Sequence, residues 1–401
     1  MKLGEICNVV RGGSPRPAGS DVYYNGNIPF LKVADLTRSN NMYVDSYQYT
    51  IKEAGLIKTR LVKTGTLLLT NSGATLGVPK ISKIAATIND GIAAFLDLDK
   101  RLLVYLYWFL ESQTQNIRNI NQGAAQPNLN TDIIKDFLIP IPPLSEQKRI
   151  VQKIEESFIL IDQIEKNKFS LSQFIKQSKS KVLDLAIRGK LVPQDPKDEP
   201  ASVLLEKIGN EQKTKKPTAD ISHYPFEVPE GWVWCRLKNI AQHNTGKTLD
   251  KNRNTGTLQE YITTSNLYWG YFDFTELRKM PIEDSELGRC TATIGDLLIC
   301  EGGDAGRSAV WKSEQSICFQ NHIHRVRPFA NISTDFLYYF MQYIYLNGEI
   351  KQYLKGVGIQ SLSGNALSSI SIPLPPLPEQ HRIVQKIETI FQTLDKIQNN
   401  L

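Results

Sequence analysis

Apolar residues recur every three or four positions in the stretch that follows Pro143. Ile150, Ile154, Ile161, Ile164, Leu171, Ile175, Val182 and Leu185 fill eight of eleven consecutive steps of alternating four and three; Ser157, Lys168 and Ser178 fill the others. This heptad seam predicts one long helix with a coiled-coil face. The preceding Ile139–Pro143 run is expected to be an extended lead-in, because proline has no amide to donate and clashes with the turn before it. Ser145 is the expected N-cap, Glu146 suits the first turn, and Gly189 is the expected stop. At 1.5 Å per residue the helix would be roughly 65 Å long. A second run, Ile383, Ile387, Ile390, Leu394, Ile397 and Leu401, keeps the spacing and predicts a helix from Pro378 or Glu379 to the last residue. Each seam is the expected partner of the other, over a limited length because the second has six positions. The alternative is that each helix packs on its own globular neighbour.

The two helices open on a repeat. Ile139–Phe158 reads IPIPPLSEQKRIVQKIEESF and Ile372–Phe391 reads IPLPPLPEQHRIVQKIETIF, identical at fifteen of twenty positions and offset by 233 residues. Solenoid repeats have periods of about 20–50 residues, so the unit duplicated here is larger. Shorter echoes keep the same order and nearly the same offset: Phe30-Leu31 with Tyr261-Ile262, Leu67–Leu69 with Leu297–Ile299, Tyr107–Leu110 with Tyr338–Met341, and Leu3–Ile6 with Leu237–Ile240. The chain therefore reads as a globular unit at 1–140, a helix and linker at 141–223, a second globular unit at 224–374 and a shorter helix at 375–401. Short β-rich runs such as Leu67–Thr70 and Leu297–Cys300, together with aromatic helical candidates near Leu102–Gln113 and Thr334–Tyr345, make each unit mixed α/β. Leu191–Ser222 is rich in Pro, Lys and Glu; Ala201–Ile208 is a short helical candidate within it, and the rest reads as a linker.

Composition narrows the function. A net charge of +6 permits a polyanionic partner without requiring one. Five cysteines, with no CxxC spacing, predict neither a disulfide framework nor a zinc site, as suits a reducing cytoplasm. The first residues resemble no signal peptide, and the longest apolar stretch, Leu102–Leu110, is about half a membrane span. Ala241–Thr248 fits a loose phosphate-loop pattern, but LDKNRNTG after it is a poor helix, and its counterpart Val10–Pro15 has no lysine. An NTPase whose activity depends on Lys247 is thus a weak third reading. His322 and His324 share a strand face without a third ligand in view. No methyltransferase, protease or hydrolase motif is found, so the sequence supports binding and no catalytic or metal site.

The twice-present PPL-x-EQ-x-RIVQKIE segment, together with Phe226–Ala241 (FEVPEGWVWCRLKNIA) and Leu183–Val192 (LDLAIRGKLV), resembles the specificity subunit of Type I restriction-modification enzymes. The resemblance covers nearly the whole chain. It implies two target-recognition domains, inverted with respect to each other and held apart by antiparallel coiled-coil helices. Each domain would read one half of a bipartite double-stranded DNA target, and the helices would set the spacer. Two modification (methyltransferase) subunits would bind this one, and restriction/motor subunits could join. S-adenosylmethionine, ATP and Mg would belong to those partners, with no cofactor in this chain. The sequence departs from the family pattern at both ends: the first unit has no counterpart of FEVPEGW, and the second helix has six seam positions against eleven in the first.

Sequence readers take affinity from phosphate contacts and specificity from base edges, with Arg suited to guanine and Asn or Gln to adenine. On expected loops the first unit offers Arg11, Arg16, Lys32, Arg38, Asn71, Ser72 and Gln126. The second offers Lys247, Lys251, Arg253, Asn254, Tyr268, Arg307 and Gln360. Glu146, Gln147 and Arg149, matched by Glu379, Gln380 and Arg382, either cap the helix starts or dock the modification subunit. A scaffold with two ligand-binding heads and no DNA is the alternative function, and salt-dependent DNA binding separates the two.

Overall fold

A computed structural model describes residues 1–401 apart from 39, 74, 120–128, 213–223, 251–253, 357 and 359. The chain divides into two compact units, Met1–Glu165 and Lys166–Leu401.

In the first unit the strands are β1 (Asn8–Arg11), β2 (Tyr24–Leu31), β3 (Tyr43–Val44), β4 (Tyr49–Ile51), β5 (Arg60–Val62), β6 (Leu67–Thr70), β7 (Pro79–Ser82), β8 (Ala86–Ile88) and β9 (Ile92–Leu96). They build two sheets, ordered β1-β9-β6-β7-β3 and β4-β2-β8-β5. Successive side chains of a strand point to opposite faces. In β6, Leu67 and Leu69 therefore enter one core with Leu106 and Leu110, while Leu68 enters another with Leu31 and Ile88. Burial on both faces is why this strand is apolar throughout rather than alternating. The helices are α1 (Val33–Thr37), α2 (Leu103–Asn119), α3 (Thr131–Lys135) and the first part of α4 (Leu144–Ile187). Ile150 and Val151 of α4 pack against the first unit's core.

The second unit repeats this plan. Its strands are β10 (Val233–Arg236), β11 (Ala241–Thr245), β12 (Thr257–Ile262), β13 (Arg278–Ile282), β14 (Thr291–Ala292), β15 (Leu297–Cys300), β16 (Ser308–Val310), β17 (Ile317–Phe319), β18 (Ile323–Pro328) and β19 (Ser371–Leu374). The sheets run β11-β18-β15-β16 and β13-β12-β17-β14, with a separate β10-β19 pair. Order for order, these match β1-β9-β6-β7 and β4-β2-β8-β5. The echo between Phe30-Leu31 and Tyr261-Ile262 marks a parallel pairing in each unit: Phe30 and Leu31 face Thr87 and Ile88, and Tyr261 and Ile262 face Cys318 and Phe319. The helices are α5 (Ala201–Glu211), α6 (Leu237–Ile240), α7 (Asp284–Cys290), α8 (Thr334–Leu346), α9 (Gly364–Ser369) and α10 (Leu377–Asn399).

The end of α4 pairs with α10 inside the second unit. Ser172 Oγ donates to Gln398 Oε1 at 3.2 Å, and Lys179 is ion-paired with Asp395 and lies 5.1 Å from the ring of Phe391. Numbers rise along α4 as they fall along α10, so the pair is antiparallel. Ile175, Ile383 and Ile387 are buried here, and Val182, Leu185, Ile390, Leu394 and Leu401 are half-buried. Ile397 is exposed. The seam is not covered along its whole length: Ile150 and Ile154 are half-buried, but Ile161, Ile164 and Leu171 are exposed at 48%, 58% and 39%. An apolar period of 3.5 fixes which face is apolar and leaves open what covers it. Here the first turns lie on their own unit and the last turns on α10, so both packing modes occur.

The helix starts also differ in detail from expectation. α4 begins at Leu144, and the amides of Glu146 and Gln147 donate to the carbonyl of Pro143, so Ser145 is not the N-cap. α10 begins at Leu377 after Pro376. Gly189 does follow the end of α4, in the left-handed region at φ 66°.

Candidate nucleic-acid interface

In the first unit the ends of four strands meet along one edge. The amide of Asn71, after β6, donates to the carbonyl of Gly91 at 2.9 Å; that of Asn89, after β8, donates to Leu31 of β2 at 3.0 Å; and that of Gly13, after β1, donates to Ile88 at 3.0 Å. Gly12 must be glycine, because a Cβ there would run into the carbonyl oxygens of Ile88 and Asn89. Arg11 Nε donates to the carbonyl of Asp90 at 2.6 Å, and Ser14 Oγ to the Asp90 carboxylate at 2.6 Å. A Cβ on Gly91 would meet Val33 and the Ser72 hydroxyl, so α1 and Ser72 close on the same loop. Thus Arg11, Lys32, Asn71 and Ser72 come together around 89–91. Arg16 is exposed beyond Pro15. Arg38 is exposed on the far end of α1, 2.8 Å from buried Asp35, and Lys32 caps the ring of Tyr49 at 3.3 Å.

Asn71 is fully buried, and among the described residues both its side-chain nitrogen and oxygen lack partners; the side-chain oxygen of Asn89 also lacks one there. Buried polar groups are nearly always bonded, to protein or to ordered water, so these amide groups are open to a further polar partner.

The second unit builds the same edge with other side chains. The amide of Glu301 donates to His322 at 2.9 Å, that of Gln320 to Ile262 at 3.0 Å, and that of Lys247 to Phe319 at 3.0 Å. Gly246 takes the place of Gly12, with the carbonyls of Phe319 and Gln320 where a Cβ would go. Leu362 closes on Glu301 at 2.7 Å as Leu129 closes on Asn71 at 2.8 Å. Arg307 Nη2 donates to the carbonyl of Thr264 at 2.7 Å and the guanidinium sits 5.4 Å from the ring of Tyr268, which stacks on Tyr271. Lys247 is ion-paired with Glu286. Asn254 donates to Thr248 at 3.1 Å, away from Arg307, and Gln360 is exposed two residues before Leu362. Gln126, Lys251 and Arg253 lie outside the described residues.

The amides of Gly246 and Lys247 are spent on strand pairing, with β11 before them, so the stretch that fits a phosphate-loop pattern is a β edge rather than an anion cradle. His324 bonds His243 ring to ring at 2.8 Å and the carbonyl of Leu362 at 2.7 Å, and His322 lies 3.4 Å from Glu301. Burial pushes His243 down to about 4, with the neighbouring His324 adding to the shift, so the pair is neutral at pH 7. No cluster of three or more metal-ligating side chains occurs among the described residues, and no helix among them is long and apolar enough to cross a membrane.

Sequence reasoning overlooked Asn89, Asp90 and Glu301. The Asn-Asp-Gly run at 89–91, set between two apolar strands, is a turn signal that could have drawn attention to the first two. Glu301 carries no local signal and is found through its match to Asn71.

Gln147 and Gln380 also repeat. Each is buried and donates its side-chain amide to the carbonyl of the proline five residues earlier, Pro142 at 2.8 Å and Pro375 at 3.0 Å. Arg382 bonds Asp198 at 2.7 Å, and Glu379 is buried, whereas Glu146 and Arg149 are exposed.

A family model described as the Type I restriction modification DNA specificity domain matches residues 1–171 and again 229–401. The chain is 26% identical over 335 residues to the Type I restriction enzyme EcoAI specificity subunit of Escherichia coli, covering 69% of this chain and 56% of that one. It is 25% identical over 314 residues to the EcoBI specificity subunit of Escherichia coli, covering 76% and 62%. It thus spans somewhat over half the length of these relatives. In fold it is similar to the HsdS subunit of Thermoanaerobacter tengcongensis, with a TM-score of 0.63 at 16% identity over 100% of this chain and 90% of that one. The chain belongs to the Type I restriction modification DNA specificity domain family, whose domain it carries twice.

Proposed function

We propose that this chain is the non-catalytic DNA-reading subunit of a Type I restriction-modification complex, in which each unit reads one half of a bipartite target. One observation carries the reading: the two units share a backbone scaffold at the strand-end edge and differ in what they display there. Asn71, Ser72 and Asn89 in one stand where Glu301, Gly302 and Gln320 stand in the other. A fixed backbone scaffold carrying different residues at matched positions is what two independent base readers need. Arg11, Arg16, Lys32 and Arg38 would meet phosphates beside the first edge, and Lys247 and Arg307 beside the second.

The 44-residue α4, roughly 66 Å at 1.5 Å per residue, would set the spacer between the halves. Its exposed side chains between Phe158 and Phe174, among them Ile159, Leu160, Ile164 and Phe169, form a larger apolar run than solvent favours. They would receive the methyltransferase subunits, which bring S-adenosylmethionine, while motor subunits bring ATP and Mg. The complex would work in the cytoplasm. Fluorescence anisotropy with a duplex carrying the target tests DNA binding. Affinity should fall steeply between 50 and 200 mM salt, by about 10³-fold or more if six or more phosphates are contacted. Salt-independent binding, or none, would favour the scaffold with two ligand-binding heads.

A further inference from the structure

Within the second unit lies a cavity of about 780 Å³ between β12, β14, β17 and the segment around Trp311. Its walls are of two kinds. Leu258, Leu277, Leu287 and Ile317 are apolar, and Phe274 meets Trp311 edge-on at 5.8 Å. Behind them stand two guanidinium groups, Arg325 and Arg327.

The two arginines are not equivalent. Arg327 holds Asp296 in a fork, Nε to Oδ1 and Nη2 to Oδ2, both at 2.7 Å. Arg325 is 2% exposed. Its Nη1 donates to the carbonyls of Gly288 and Thr291, at 3.1 and 2.5 Å, and its Nη2 to the side-chain oxygen of Asn244 at 2.9 Å. Its Nε has no partner among the described residues. Among the described residues no carboxylate pairs with it, and the acid that lines the cavity, Glu260, is 3.3 Å from Lys279. Arg327, with its side chain 40% exposed, is neutralised by Asp296, so the buried guanidinium of Arg325 keeps a positive charge with no ionic partner among the described residues. A buried charge lacking a counterion is costly, and proteins rarely keep one without a use.

We propose that this cavity binds a small organic monoanion, a carboxylate on an aromatic or aliphatic body. The carboxylate balances Arg325, and the body lies against Trp311, Phe274 and Leu277. Its single negative charge matches the single unbalanced guanidinium. Burial disfavours the charged form of Arg325, with Arg327 adding repulsion, and a bound anion would relieve both. The proposal is independent of the DNA-reading edge.

The test is ¹⁹F NMR of the full chain titrated against 4-fluorobenzoate, with uncharged 4-fluorobenzamide as the matched control. The benzoate is expected to bind at one site and the amide at least about tenfold more weakly, which corresponds to about 1.4 kcal/mol. Arg325→Gln should abolish benzoate binding. Because that variant disturbs a buried residue, Leu258→Glu provides a second check: Leu258 is 60% exposed at the cavity wall, so a carboxylate there is tolerated by the fold yet repels the ligand. Loss of benzoate binding in Leu258→Glu supports the site. Failure of the benzoate to bind, equal binding of benzoate and amide, or full benzoate affinity in Leu258→Glu overturns it.

Discussion

The indole nitrogen of Trp232 donates a 2.9 Å hydrogen bond to Oε2 of Glu379, and both side chains are buried. Glu379 sits in the first turn of α10, while Gly189, which follows α4, would collide with Pro229 and approach Trp232 if it carried a Cβ. The Pro-Glu-Gly-Trp turn thus joins the end of one helix to the start of the other. Burial pushes the Glu379 carboxyl upward, and the Trp232 hydrogen bond opposes that shift. Trp232→Phe should therefore destabilise the second unit by about 1–3 kcal/mol at neutral pH, by leaving a buried carboxylate short of a donor. Urea unfolding followed by circular dichroism measures the loss. A change below the fitting error would mean that this bond does not hold the junction.

Gly12 and Gly246 should be intolerant of even one methyl group. Alanine at either place meets two carbonyl oxygens, and overpacking of this kind costs about 1–3 kcal/mol. Gly209→Ala, in the last turn of α5 with open space around its Cβ, is the control and should gain up to about 0.5 kcal/mol from helix propensity. Melting temperatures of the three variants give the comparison.

Much of this architecture was legible in the sequence because duplication prints the same signals twice. The matched IPIPP and IPLPP runs located both helices, and Leu67–Leu69 with Leu297–Ile299 located the central strands. The strand-end edge was only half legible. Arg11, Lys32 and the Asn71-Ser72 pair come from three separate places in the chain, and only the backbone bonds among Leu31, Ile88, Asn89 and Gly91 bring them together. Glu301 was invisible for the same reason. The seam misled over Ile161 and Ile164, since periodicity records an apolar face and not its partner. Ser145 misled because Pro143 already supplies the carbonyl that receives the first amides.

Seam positions should accordingly split by what covers them. Ile383→Ala, at a fully buried site, should cost about 2–5 kcal/mol, whereas Ile164→Ala should stay within about 0.5 kcal/mol in the isolated chain. Denaturant midpoints of the two variants decide this. Equal losses would show that the middle of α4 is covered in solution.

Acid should weaken the second unit through His243. Its folded value of about 4 lies below the ordinary 6.5, so between those values the unfolded chain takes up a proton that the folded chain refuses. Stability is complete above about pH 6.5 and falls as pH drops toward 4, by up to about 1.4 kcal/mol per unit for this group. His324, lowered by its own burial, adds in the same direction. Urea midpoints between pH 7.5 and 4.5 should show this slope, and His243→Gln should flatten it.

The most direct test maps methylated sites across a genome for the reconstituted complex, with residues 1–140 exchanged for the corresponding unit of another family member. One half of the target should change while the other half and the spacer stay as they were. A target unchanged by the exchange, or altered in both halves, would contradict separate reading by the two units.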